Sequence, residues 1–142
     1  MEILPGVCAF IRNEDREVLL VKRADTREWA LPTGTVEPEE TVKNALKREM
    51  KEEVNLEVSV SRLIGVYSDP DTQIYEYPDG ATVHFVTHFF ECQVRAGSVE
   101  PDEKEVLRAS YYSLDELPEN IMKMHPDWLD DALGEQNEAY VK

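Results

Sequence analysis

The sequence is poor in basic residues: 15 lysines and arginines stand against 30 aspartates and glutamates, giving a formal charge of -15. An average surface of that sign repels a nucleic-acid duplex and an anionic membrane, so neither is expected as a partner. A small anionic substrate is still compatible if a cation bridges the two, which makes metal dependence worth seeking. Cysteine is scarce as well. Cys8 and Cys92 are too few and too far apart for a disulfide framework or a zinc site, and they read as small buried apolar residues. Long apolar runs are missing: Val7 to Ile11 is strand-sized, far short of a membrane span. The start, Met1-Glu2-Ile3-Leu4-Pro5-Gly6, has an acid and a Pro-Gly pair where an export signal needs basic residues and an unbroken apolar stretch. A cytoplasmic protein is therefore expected. Its 142 residues suffice for one sizeable core but not two, so 1–142 reads as a single domain with a tail that frays after about residue 134.

Along the chain, Val7 to Ile11 and Val18 to Val21 flank the polar Asn13-Glu14-Asp15, which predicts an opening β-hairpin. Trp29-Ala30-Leu31-Pro32 leads into Thr33-Gly34-Thr35, a shaped loop. Glu39 to Val54 contains neither Gly nor Pro, and Val42, Leu46, Met50 and Val54 recur every four residues, which predicts a helix. Strands are expected from Leu56 to Tyr67, at Ile74 to Tyr77, from Ala81 to Val94 and from Val106 to Ser113, followed by a closing helix within Pro126 to Leu133.

The helix is acidic on the wrong side. At about 100° per residue from Val42, Leu46 and Met50 fall near 40° and 80°, and Glu49 and Glu53 fall inside the same stripe, near -20° and 20°. Glu52 lies at its edge, near -80°, while Lys43, Lys47 and Lys51 gather opposite. Neighbouring carboxylates repel, and burying either as an ion costs several kcal/mol unless protons or a cation compensate. A hard cation of the Mg²⁺ or Mn²⁺ type suits three carboxylate ligands; the plainer alternative is a solvated acid patch on a less buried helix.

Gly34, Glu40, Arg48, Glu49, Met50, Glu52, Glu53, Asn55 and Leu56 are spaced as in the signature G-x5-E-x7-R-E-U-x-E-E-x-G-U of the Nudix hydrolases, where U is aliphatic. The chain resembles that family, and the flanks agree, from Leu31-Pro32 to Glu105 and Tyr111 to Leu117. Asn55 replaces the second glycine, but Asn tolerates the left-handed turn required there. Thr33 and Pro38 stand where many members carry Gly, with a bearing on substrate range.

The resemblance implies an α/β fold, a Nudix-like α/β/α sandwich around a mixed β-sheet, and metal-dependent hydrolysis of a phosphoanhydride bond in a nucleoside diphosphate linked to another moiety. Glu49, Glu52 and Glu53 match the family's metal-binding acids, Arg48 an arginine that orients them, and Glu40 a further motif acid. Glu53 or Glu52 is favoured as the group that takes the proton from water, with Glu105, which resembles a distant acid of some members, as the alternative. Gly34 and Arg23 are expected against substrate phosphate. Trp29, with Tyr67, Tyr75 and Tyr77, is a candidate for stacking a base, against the plainer role of a core or rim aromatic. His84 and His88 are not expected to bind metal. Pro70 tilts the substrate towards ADP-ribose or a nucleotide sugar, and homodimers are common in the family. A Nudix-like module that binds a nucleotide or partner without turnover is the alternative function.

Overall fold

The computed structural model describes residues 1–142, with strands β1 (Glu2–Ile11), β2 (Val18–Arg23), β3 (Trp29–Ala30), β4 (Thr33–Thr35), β5 (Leu56–Tyr67), β6 (Ile74–Glu76), β7 (Thr82–Gly97), β8 (Val106–Tyr112) and β9 (Tyr140–Val141). The helices are α1 (Val42–Val54), α2 (Pro70–Gln73) and α3 (Trp128–Leu133). Successive side chains of a strand point to opposite faces, and in β1 both faces are apolar. Val7, Ala9 and Ile11 therefore pack with Ala45, Leu46, Met50 and Val54 of α1, whereas Cys8 and Phe10 pack on the other side with Ile64, Tyr67, Phe89 and the α3 residue Ala132. The result is an α/β/α sandwich, with β1 dividing its two cores.

The main sheet runs β4-β1-β7-β5-β9 and is mixed: β1 and β7 are parallel, β7 and β5 antiparallel. Beyond the end of β5, β6 takes up the same edge of β7 over Thr82 to His84. A smaller sheet, β3-β2-β8, stands beside it. The expected opening hairpin is thus corrected. β1 and β2 touch through a single bridge, Arg12 to Val18, and then separate into different sheets. The polar turn between them is read well from composition, with Asn13 Oδ1 accepting the N–H groups of Asp15 and Glu17 at 3.1 and 2.9 Å. A strand apolar on both faces belongs in the interior of a sheet covered on both sides, however, and β1 takes such a place between β4 and β7.

The helix starts at Val42, three residues later than Glu39, because Thr41 caps it: its Oγ1 accepts the Asn44 N–H at 3.1 Å, and Glu39 occupies a left-handed turn (φ 72°). Its C-terminus is as expected, with Asn55 left-handed at φ 61°, ψ 34° and its N–H bonded to the Met50 carbonyl. The tail also differs from expectation. Tyr140 and Val141 pair in parallel with Gly65 and Val66, and the Lys142 ammonium donates to Asp127 and Asp131 at 2.9 and 3.1 Å.

Candidate active site

Three carboxylates meet beside β4. Glu49 and Glu53 come from α1 and Glu105 from the turn before β8, and one oxygen of each lies within 4.8 Å of the others. Glu53 is only 7 % exposed, among the fully buried Leu46, Met50 and Val54, as the helical wheel requires. Glu105 is aimed by a local device. Asp102 Oδ1 accepts the N–H groups of Lys104, Glu105 and Val106 at 3.0, 3.1 and 3.0 Å, and the Glu105 carbonyl accepts the Ala24 N–H at 2.9 Å, tying the turn to the end of β2. Asp102 carries no spacing signal that would single it out among 30 acidic residues.

Burial, and then the charges of Glu49 and Glu105, push the Glu53 carboxyl far above its ordinary range. Burial also raises Glu49, opposed by the adjacent Arg48. Arg48 is fully committed. Its Nε and one terminal nitrogen hold Glu40 bidentately at 2.7 and 2.9 Å, that same nitrogen donates to the Thr35 carbonyl at 3.0 Å, and the other donates to Glu49 at 2.8 Å. The hydrogen bonds from Arg48 draw Glu40 down to about 2. Gly34 completes the arrangement, since a Cβ at this position would stand 2.1 Å from Glu49 Cγ. Glycine is needed here so that Glu49 can cross β4 towards its partners.

Not every expected residue joins them. The Glu52 side chain is 59 % exposed and leans on Arg48 at 3.3 Å, outside the group of three, while Glu105 takes the place beside Glu49 and Glu53. Trp29 takes the plainer role of a core aromatic: it is 6 % exposed, packs edge-on against Tyr112 with ring centroids 5.1 Å apart, and does not line the cavity next to the acids. The segment Asn120 to Met122 lies along Trp29, its backbone bonded to the Trp29 N–H and carbonyl, and it is Ala30, the next residue of β3, that reaches the cavity wall. Tyr67 is likewise a core residue, its hydroxyl donating to Asp131 at 2.7 Å. His84 and His88 are engaged with the carbonyls of Ser68 and Gly6 at 2.6 and 3.0 Å.

The cavity holds about 740 Å³, and Glu49, Glu53, Glu105, Gly34, Arg23 and Tyr75 are among its walls. Arg23 is held in place by both Asp25 oxygens (3.0 and 2.8 Å) and by Thr33 Oγ1 (3.3 Å). A fixed guanidinium therefore faces the same space as three carboxylates. Such a space can take a small anion and a cation together, with acid-base groups at hand. The donor set of Glu49, Glu53 and Glu105, all hard oxygens and one of them buried, fits a hard divalent ion.

The NUDIX domain family model matches residues 3–132. A MutT-like protein of Streptomyces ambofaciens is 32 % identical over 128 residues, covering 90 % of this chain and 75 % of the relative. An ADP-ribose pyrophosphatase of Methanocaldococcus jannaschii is 35 % identical over 127 residues, covering 83 % of this chain and 70 % of the relative. Among solved structures, an ADP-ribose pyrophosphatase of Streptococcus suis superposes with a TM-score of 0.77 over 98 % of each chain at 24 % identity, a likeness of fold.

Proposed function

Because this chain belongs to the NUDIX family, we propose that it is a metal-dependent hydrolase of the phosphoanhydride bond in a nucleoside diphosphate linked to another moiety. The observation that carries the reading is the meeting of Glu49, Glu53 and Glu105 in the wall of a cavity that also presents Arg23. Glu49, Glu53 and Glu105 would hold Mg²⁺ or Mn²⁺, with Glu52 at the margin of the site. When bound, such an ion neutralises phosphate charge and lowers the pKa of water. The protein's own groups do the rest. Arg23 binds a phosphate oxygen, Arg48 fixes Glu49, and a carboxylate of the group, Glu53 or Glu105, accepts the proton of the attacking water.

ADP-ribose is the first substrate to test, on the strength of the relative at 35 % identity that bears that activity in its name and of Pro70, which opens α2 beside the cavity. ADP-ribose, nucleotide sugars, nucleoside triphosphates and dinucleoside polyphosphates should be screened with Mg²⁺ and with Mn²⁺. The expected result is cation-dependent release of a nucleoside monophosphate from one of the first two classes, lost in Glu53→Gln and Glu105→Gln. Saturable nucleotide binding with no hydrolysis in any class would replace this reading with that of a binding module.

A further inference from the structure

Tyr75 carries the one buried side-chain polar atom that has no hydrogen-bond partner: its hydroxyl is closed off from solvent and unpaired. Such an orphan costs stability, and a phenylalanine would fill the same space without it. The hydroxyl therefore calls for an explanation, and its surroundings supply one. Tyr75 is a wall of the cavity, the Arg23 guanidinium lies over its ring at 5.2 Å from the centroid, and Tyr77 meets it edge-on with centroids 4.8 Å apart. Arg23 gives Nε and one terminal nitrogen to Asp25 and the other to Thr33, so a hydrogen remains on each terminal nitrogen. Both oxygens of Asp25 are occupied by Arg23. This end of the cavity thus offers the free N–H groups and the positive charge of Arg23 beside the Tyr75 ring, a setting that favours an anionic oxygen.

We propose that the Tyr75 hydroxyl donates to a non-bridging oxygen of the substrate's diphosphate, beside the free N–H groups of Arg23, and so makes Tyr75 a specificity-determining residue for diphosphate-bearing ligands. The assignment rests on the functional reading above. Tyr75 sits at the middle of β6, a three-residue strand whose one sheet neighbour is the start of β7 and whose flanking Ile74 and Glu76 are exposed. Because the hydroxyl is closed off from solvent, its contact with the ligand requires this short edge strand to shift.

The test uses Tyr75→Phe in the full chain and imidodiphosphate, a base-free and non-hydrolysable diphosphate, with Mg²⁺. Without ligand the variant melts a few degrees above the wild type, because the orphan hydroxyl is gone. It binds imidodiphosphate about tenfold more weakly in titration calorimetry, and with the substrate found in the screen the loss appears in KM more than in kcat. Equal affinity of the two proteins for imidodiphosphate overturns the assignment of Tyr75 alone. Failure of the wild type to bind imidodiphosphate while it hydrolyses a substrate of the screen overturns the assignment as well, whereas absence of hydrolysis throughout the screen overturns the functional reading on which the assignment rests.

Discussion

Replacing Glu53 by glutamine should make the metal-free protein more stable and the enzyme inactive. Glu53 is an acid whose carboxyl is pushed, chiefly by burial and then by Glu49 and Glu105, from 4.5 up to about 10. A carboxyl raised on folding favours the folded state while it keeps its proton. Its stabilisation is therefore full below about pH 4.5 and drains away as the pH climbs towards 10. At about pH 7.5 three of those pH units have been crossed, each worth about 1.4 kcal/mol, so the cost approaches about 4 kcal/mol as an upper figure, since the three acids share it. Glutamine has the same shape and no charge to neutralise. In a chain of this size about 1 kcal/mol moves Tm by some 3 °C, so Glu53→Gln in EDTA should melt on the order of 10 °C higher at pH 7.5, with the gap closing towards pH 5. Saturating Mg²⁺ should reverse the order, lifting the wild type and scarcely moving the variant. The assay is thermal unfolding from pH 5 to 9, with and without cation. Comparing the two proteins at each pH removes the background repulsion of a chain with net charge -15. A variant that is less stable than the wild type in EDTA at pH 7.5, or a gap that does not change with pH, refutes the reasoning.

Three further outcomes follow from the same site. Gly34→Ala places a Cβ 2.1 Å from Glu49 Cγ, so Glu49 must move by about 1 Å or more; kcat should fall about a hundredfold while stability, measured by urea unfolding, drops by about 1 to 3 kcal/mol. Arg48→Lys replaces a fork holding Glu40, Glu49 and the Thr35 carbonyl by a single ammonium, and steady-state kinetics should show a loss of about a hundredfold in kcat with the larger part of the fold intact by circular dichroism. Asp102→Ala frees three N–H groups in the turn that aims Glu105 and should weaken Mg²⁺ binding about tenfold by calorimetry, with a stability cost of about 1 kcal/mol.

The site was legible where helical spacing places side chains, and less so where it depends on contacts between distant segments. Glu49 and Glu53 follow from one period of 3.6 residues, and the buried Glu53 bears out the wheel. Glu52, one residue away, falls on the boundary of the stripe, and there a rotation of one residue decides between cavity and solvent; it lies in solvent. Glu105 joins the acids through a turn 52 residues further along, held by Asp102, and no periodicity reports that contact. The same limit explains the opening strands. Composition places β2, the turn and the second half of β1, but neither the first half, Glu2 to Gly6, nor the partners, because β1 finds β7 and β2 finds β8 across long stretches of chain. Trp29 is hard to place from sequence because aromatic residues beside a motif loop look alike whether they face a cavity or a core; in the fold it is buried against Tyr112 and the segment Asn120 to Met122.

The division of labour within β1 bears on how this sequence can vary. A substitution at Val7, Ala9 or Ile11 is felt in the core under α1, and one at Cys8 or Phe10 in the core under α3, so each can be compensated locally. Insertion or deletion of one residue between Gly6 and Phe10 is another matter. It reverses which side chains face which helix, and it shifts the pairing of Val7 with Gly34, the glycine that gives Glu49 its passage. The strand can thus drift in residue identity, but its length is tied to the placement of a carboxylate that it does not itself carry.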